Sequence, residues 1–358
     1  MAAESDSPEF NLTELQLAAR NHGMPLELLR EPVTPLGLHY LLTHFDIPVV
    51  DPATWNLTVD GNVESERTFD LEALLGFPAH EVVSTMECAG NGRVHLQPHV
   101  VSQPWVQEAV GTGRWRGLRV RDLLEVAGVG SNAVEVLFTA LDHGIEHGEE
   151  QIFARSLPLE LAFDDDVLLA YDLNGAPLPP QHGYPLRLLV PGWYGMTNVK
   201  WLDRITLIDE PFAGPQQAVS YRLRQTEDEA GVPLSRILPR ALLVPPGIPD
   251  FPTRRRTVVA GRQQLEGRAW SGHAPIESVE VSDDGGATWW PAAVEPPELG
   301  RYAWVRFTAD WDADPGSHVL ACRARDASGL VQPDHGDWNL GGYANNGVQR
   351  IDVEVVAP

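Results

Sequence analysis

The texture of the chain changes once, after Asp209, and this break constrains the fold more than any other feature. Before it, short apolar runs at 54–60, 82–86, 134–141, 167–171, 186–190 and 205–208 alternate irregularly with brief helical stretches at 11–20, 71–76 and 119–127. No βαβ repeat and no GxGxxG fingerprint organises them, so a doubly wound nucleotide fold is excluded. After Arg256 the pattern is all strand: 276–282 alternates, Asp283-Asp284-Gly285-Gly286 makes a hairpin turn, and 301–309, 318–325 and 348–356 follow. The segment between is rich in Pro, Arg and acidic residues and reads as a connector. The prediction is an α+β chain: a mixed α/β domain over 1–215, a connector over 216–250, and an immunoglobulin-like β-sandwich over 251–358.

Composition narrows the function classes. A net charge of −24 argues against a nucleic-acid binder and against docking on anionic lipid, while leaving room for a small local basic pocket. No run approaches the roughly 18 apolar residues of a membrane span. The 2 cysteines, Cys88 and Cys322, stand far apart, which is no disulfide framework and is compatible with a reducing compartment. The first residues are acidic and carry neither a basic leader nor a twin-arginine signal. The expected location is cytoplasmic, or periplasmic if a leader has been removed.

Two segments carry candidate chemistry. Cys88 ends a predicted strand in the turn Glu87-Cys88-Ala89-Gly90-Asn91-Gly92-Arg93, with a guanidinium nearby to favour thiolate. On these residues alone it is a nucleophile, a soft metal ligand or a buried structural cysteine. The second segment runs from His182-Gly183-Tyr184-Pro185-Leu186-Arg187 to Asn198-Val199-Lys200-Trp201. Lys200 is the only lysine among 26 basic residues, and it follows a glycine-containing loop. Glycine-rich backbone with Lys and Arg suits a phosphate cradle.

Together these segments resemble the sulfite oxidase family of molybdenum enzymes. Thr85-Met86-Glu87-Cys88-Ala89-Gly90-Asn91-Gly92-Arg93 resembles its cysteine loop, and Val167-Leu168-Leu169-Ala170-Tyr171-Asp172-Leu173-Asn174-Gly175 its Leu-Ala-Tyr-x-Met-Asn-Gly stretch. The His182 and Lys200 segments resemble its pterin-binding loops. Ala269-Trp270-Ser271-Gly272, the Ser282 to Trp289 hairpin and Trp338-Asn339 resemble its C-terminal dimerisation domain.

The resemblance implies a molybdenum–molybdopterin cofactor with Cys88 as the metal's thiolate ligand, and a homodimer. Tyr171 and Arg93 are implied at the reacting centre. Tyr40, Thr43, His44, Asp142, His182, Arg187, Asn198, Val199 and Lys200 are implied to hold the pterin and its phosphate. No haem-binding segment is evident, so electrons are expected to pass to or from an external partner. Two departures bear on substrate. The family's Arg-Asn-His reads Leu42-Thr43-His44 here, and its Ser-Gly-Gly-Gly-Arg reads Ser271-Gly272-His273-Ala274-Pro275. Sulfite is the default substrate; the missing arginines favour a less charged one, such as an S- or N-oxide, with Arg114, Arg116 or His273 as possible compensating groups. A cofactor-free cysteine hydrolase and a non-enzymatic binding module are the competing readings. His143 and His147 have metal-site spacing, but the glycines beside them disfavour a helix. Asp164-Asp165-Asp166 reads as a turn, Arg254-Arg255-Arg256 as linker surface, and Cys322 as core.

Overall fold

The computed structural model describes residues 10–146 and 148–358. Its first half is built on two sheets. One has the strand order Arg67–Asp70, Asn56–Gly61, Leu202–Ile208, Glu135–Glu146, Glu149–Pro158. Leu57 and Val59 alternate inward with Thr58 and Asp60, as do Val136, Phe138 and Ala140, which makes this face one side of the core. The other sheet pairs His80–Glu87 with Val110–Arg119 and Val110–Arg119 with Leu168–Leu173, all antiparallel. Between them lie Leu123 and Leu124 of the helix Val120–Ala127 and Leu74 of the short helix Leu71–Leu75. Strand Val110–Arg119 was not anticipated, because its glycines interrupt the apolar alternation. At Gly117 a side chain would sit 2.0 Å from the Leu169 carbonyl oxygen, so only glycine lets these strands meet.

Asp70 caps the Leu71–Leu75 helix by accepting a 2.8 Å bond from the Ala73 amide. Replacing Asp70 with Ala should cost about 1 kcal/mol in denaturant unfolding, and Asp70→Asn much less. Equal losses in both variants would mean that the carboxylate acts through charge, not as a cap.

The second half is a two-sheet sandwich. Arg240–Leu243, Gly261–Trp270, Val305–Ala313 and Ala293–Val294 form one sheet, and a six-stranded sheet containing Ile276–Ser282, Gly316–Asp326 and Gln349–Val356 forms the other. Val281, Phe307, Leu320, Cys322 and Val353 fill the space between, so Cys322 is core as expected. Two expectations change. The segment read as connector supplies a core strand: Arg240–Leu243 pairs with Gly267 through Trp270. Arg256 is not linker surface; it is buried and donates to Glu27. Helices are few and short throughout, so the mixed half is mostly strand.

The segment before residue 35 is stitched to both halves. The helix Leu12–Arg20 carries a capping box between Asn11 and Glu14, and the buried Glu14 carboxylate pairs with His99 at 2.8 Å. His143 lies on a strand and contacts Glu150, while His147 lies outside the described residues. Among the described residues no group of three or more His, Cys, Asp or Glu could hold a metal. No described helix is long and apolar enough to cross a membrane.

Candidate active site

Strand His80–Glu87 delivers the buried Cys88 to the lining of a cavity, and the Cys88 amide donates to the Ala109 carbonyl at 2.9 Å. Cys88, Tyr40, Leu42, His44, Asp142 and Tyr221 are among its lining, with His182, Arg187, Asn198 and Lys200 on the facing loops. Residues from five distant stretches of sequence therefore meet here. The Arg187–Leu189 strand and the loop after it bring the two cradle segments together. Arg187 donates to the His182 carbonyl and to the Asn198 carbonyl, both at 3.0 Å. Asn198 in turn accepts from the Val190 amide at 2.7 Å. Lys200 donates to the carbonyls of Leu42 at 2.9 Å and Gln181 at 3.0 Å.

The cradle is electrostatically incomplete. Burial pushes the Lys200 ammonium down to about 7 and Arg187 down to about 10. Burial also takes His182 to about 2, and the neighbouring His39, Arg187 and Lys200 charges add to the effect. Asp142 is the only carboxylate in the described lining, and burial raises it to about 6 against the pull of Lys200 and His44. The buried polar atoms Arg187 Nε, His39 Nε2, Thr43 Oγ1 and Thr197 Oγ1 have no hydrogen-bond partner. Two cations against a single carboxylate, with orphaned polar groups beside them, leave an excess of positive charge that a phosphate-bearing group would satisfy. The residues present thus fit a molybdopterin: Lys200, Arg187 and Asn198 would face its phosphate end, and Cys88 would offer its soft sulfur to the metal.

Several expected residues stand elsewhere. Thr43 and Val199 are buried beside the cavity rather than in its lining; the Thr43 amide donates to Asn21 and Val199 accepts from the Leu188 amide. Arg93 lies behind Cys88, bonded to the carbonyls of Gly341 and Gln103. Its guanidinium lowers the Cys88 thiol, but burial is the larger effect and the net direction is upward, contrary to the sequence expectation. Tyr171 sits in the hydrophobic core with Leu169 and Leu186, outside the cavity lining. The tyrosine at the cavity is Tyr221, whose hydroxyl lies 3.4 Å from His44 Nδ1. Sequence reading also missed His39, which lines the cavity. Of the possible compensating groups, Arg114 is paired with Glu81 at the surface, and Arg116 and His273 are exposed.

A buried network ties Cys88 to the sandwich. Glu87 pairs with Arg240 and accepts from Trp270 Nε1 at 2.8 Å and Asn91 Nδ2 at 3.0 Å. Arg240 also donates to Gln107 and to the Asn345 carbonyl.

Comparisons with known proteins agree with this geometry. Residues 44–216 match the oxidoreductase molybdopterin binding domain, and residues 252–356 match the Mo-co oxidoreductase dimerisation domain. The chain is 34% identical to mitochondrial sulfite oxidase of Rattus norvegicus, over 93% of this chain and 63% of the rat protein. It spans, therefore, less than two thirds of that relative's length. Sulfite oxidase of Gallus gallus is 33% identical, over 91% of this chain and 74% of the bird protein. A barley NADH nitrate reductase is 31% identical over 91% of this chain and 39% of its own length. Among solved structures, the sulfane dehydrogenase SoxCD from Paracoccus pantotrophus superposes with a TM-score of 0.80 at 28% identity, covering 93% of this chain and 86% of that one. With the cysteine loop, the cationic cradle and the dimerisation domain in place, the chain belongs to the sulfite oxidase family of molybdopterin oxidoreductases.

Proposed function

We propose that the chain catalyses oxygen-atom transfer of sulfite oxidase type, with sulfite and water giving sulfate, two protons and two electrons. The observation that carries this reading is that the buried Cys88 lines the same cavity as the cationic cradle of Lys200 and Arg187. Bound there, the molybdenum–pterin group supplies the two-electron oxygen-transfer chemistry. The protein's own residues do the rest. Lys200 and Arg187 hold an anionic group in a water-poor cradle, where their charges act strongly. The contact with His44 keeps the Tyr221 hydroxyl oriented at the cavity. Electrons leave to an external acceptor, and the protein works as a homodimer through its sandwich.

A second reading, reduction of an S- or N-oxide at the same centre, is favoured by one observation: Leu42 lines the cavity where the resemblance leads one to expect arginine. An uncharged substrate would need no cation there.

The test is elemental analysis of protein from a host that makes the cofactor, beside Cys88→Ala, with both assayed for sulfite oxidation by ferricyanide and for dimethyl sulfoxide reduction by reduced viologen. About one molybdenum per chain is expected, with turnover lost in the variant. Loaded protein that reduces the sulfoxide but ignores sulfite would overturn the sulfite reading. An absence of molybdenum would favour a cysteine hydrolase or a binding module.

A further inference from the structure

The arginines missing at position 42 and across 271–275 leave the cavity without the expected substrate cation, and a different element carries one close by. Arg155 lies on the strand Glu149–Pro158 and is 5% exposed. It is two residues from Phe153, so both side chains share a strand face, and Phe153 lines the cavity. The Arg155 guanidinium sits 5.7 Å from the ring centre of Tyr221, itself a lining residue. Tyr221 packs on Tyr343 at 5.2 Å, and Arg93 lies 5.3 Å over the Tyr343 ring. Two buried guanidinium groups thus bracket a pair of tyrosines beside Cys88.

Neither cation is neutralised. Arg155 donates to the Gln216 carbonyl, its Nε has no partner, and Arg93 donates only to carbonyls. Among the described residues neither forms an ion pair with a carboxylate, although the chain carries 50 acidic residues. A buried guanidinium without a counter-charge is costly, and a site that keeps one is shaped for an anion that arrives later.

We infer that Arg155 is the specificity-determining cation of the substrate site, selecting a small oxyanion together with the Tyr221 hydroxyl. It takes over the charge absent at position 42 and in the 271–275 turn. The location depends on the oxidoreductase reading centred on Cys88; the anion preference does not.

The test compares wild type, Arg155→Gln and Arg155→Lys as molybdenum-loaded protein. Inorganic sulfate binding is measured by calorimetry, and sulfite and dimethyl sulfoxide kinetics run in parallel. Loss of one charged hydrogen bond should weaken sulfate binding roughly 10- to 100-fold in Arg155→Gln, with partial rescue in Arg155→Lys. The sulfite KM should rise by a similar factor while kcat and the sulfoxide kinetics change little. Equal sulfate affinity in wild type and Arg155→Gln, or no sulfate binding to wild type, overturns the inference. So does loss of molybdenum from both variants, which would mark Arg155 as a support for the Gln216 turn. Arg155-dependent sulfate binding in a protein that does not oxidise sulfite would leave the anion site standing and reject the sulfite reaction alone.

Discussion

Arg240→Met should destabilise the protein by about 3–5 kcal/mol, the cost of leaving a buried carboxylate without its cation. Arg240 is 1% exposed and Glu87 is 3% exposed, so water cannot substitute for either partner. The variant strands Glu87 next to Cys88 and frees the Gln107 side chain and the Asn345 carbonyl from their donor. Trp270 Nε1 and Asn91 Nδ2 still reach Glu87, but neutral donors offset only part of the charge. The double variant Glu87→Gln with Arg240→Met should therefore recover much of the loss. A double-mutant cycle in urea, with molybdenum content measured on each protein, checks this. A loss below about 1 kcal/mol in Arg240→Met would show that the sandwich is joined to the Cys88 loop chiefly by apolar packing.

Lys200→Met should have opposite effects on stability and loading. In the cofactor-free protein the ammonium is buried with its pKa lowered from 10.5 to about 7. The unfolded chain then binds more protons than the folded one between those values, so wild-type stability rises with pH across this window. At about 1.4 kcal/mol per pKa unit, the strain below neutrality is several kcal/mol. The variant removes it and forfeits two bonds to carbonyl oxygens. The expected net gain is about 2 kcal/mol at pH 7, a rise in Tm of about 3 °C for a chain of this length. At pH 10.5 the advantage should vanish. Asp142 has the reverse sign: its carboxyl, raised from 3.8 to about 6, makes stability fall as pH rises through that range. Loading should fail in Lys200→Met, because the cradle loses its compact cation. A variant no more stable than wild type at pH 7, yet still loaded, would remove Lys200 from the cradle.

How much was legible beforehand follows from how each residue reaches the site. Cys88 was legible because an apolar run leads straight into a glycine-rich turn. Lys200 was legible because a lone lysine in an arginine-using chain stands out, and the structure places it in the cavity wall. Arg155 was hidden: its strand reads Gln151-Ile152-Phe153-Ala154-Arg155-Ser156, with no spacing that separates a buried arginine from a surface one. Tyr221 lies in the Pro- and Arg-rich stretch without periodicity, so only tertiary packing against His44 and Tyr343 brings it in. Tyr171 belongs to the motif, yet the strand Leu168–Leu173 carries its side chain into the hydrophobic core with Leu169 and Leu186. The Arg240–Leu243 strand had a visible signal, the run Ala241-Leu242-Leu243-Val244, obscured by the prolines on either side.

The contact between Arg93 and the Gly341 carbonyl spans 248 positions, and that between Asn345 and the Gly92 carbonyl spans 253. During synthesis at about 5–20 residues per second, the Cys88 loop therefore waits more than ten seconds for the backbone that backs it. Until those residues emerge, Arg93 and the Gly92 carbonyl lack the partners that fix the Cys88 turn. A shortened chain ending before residue 341 would keep the cradle and lack the wall behind Arg93.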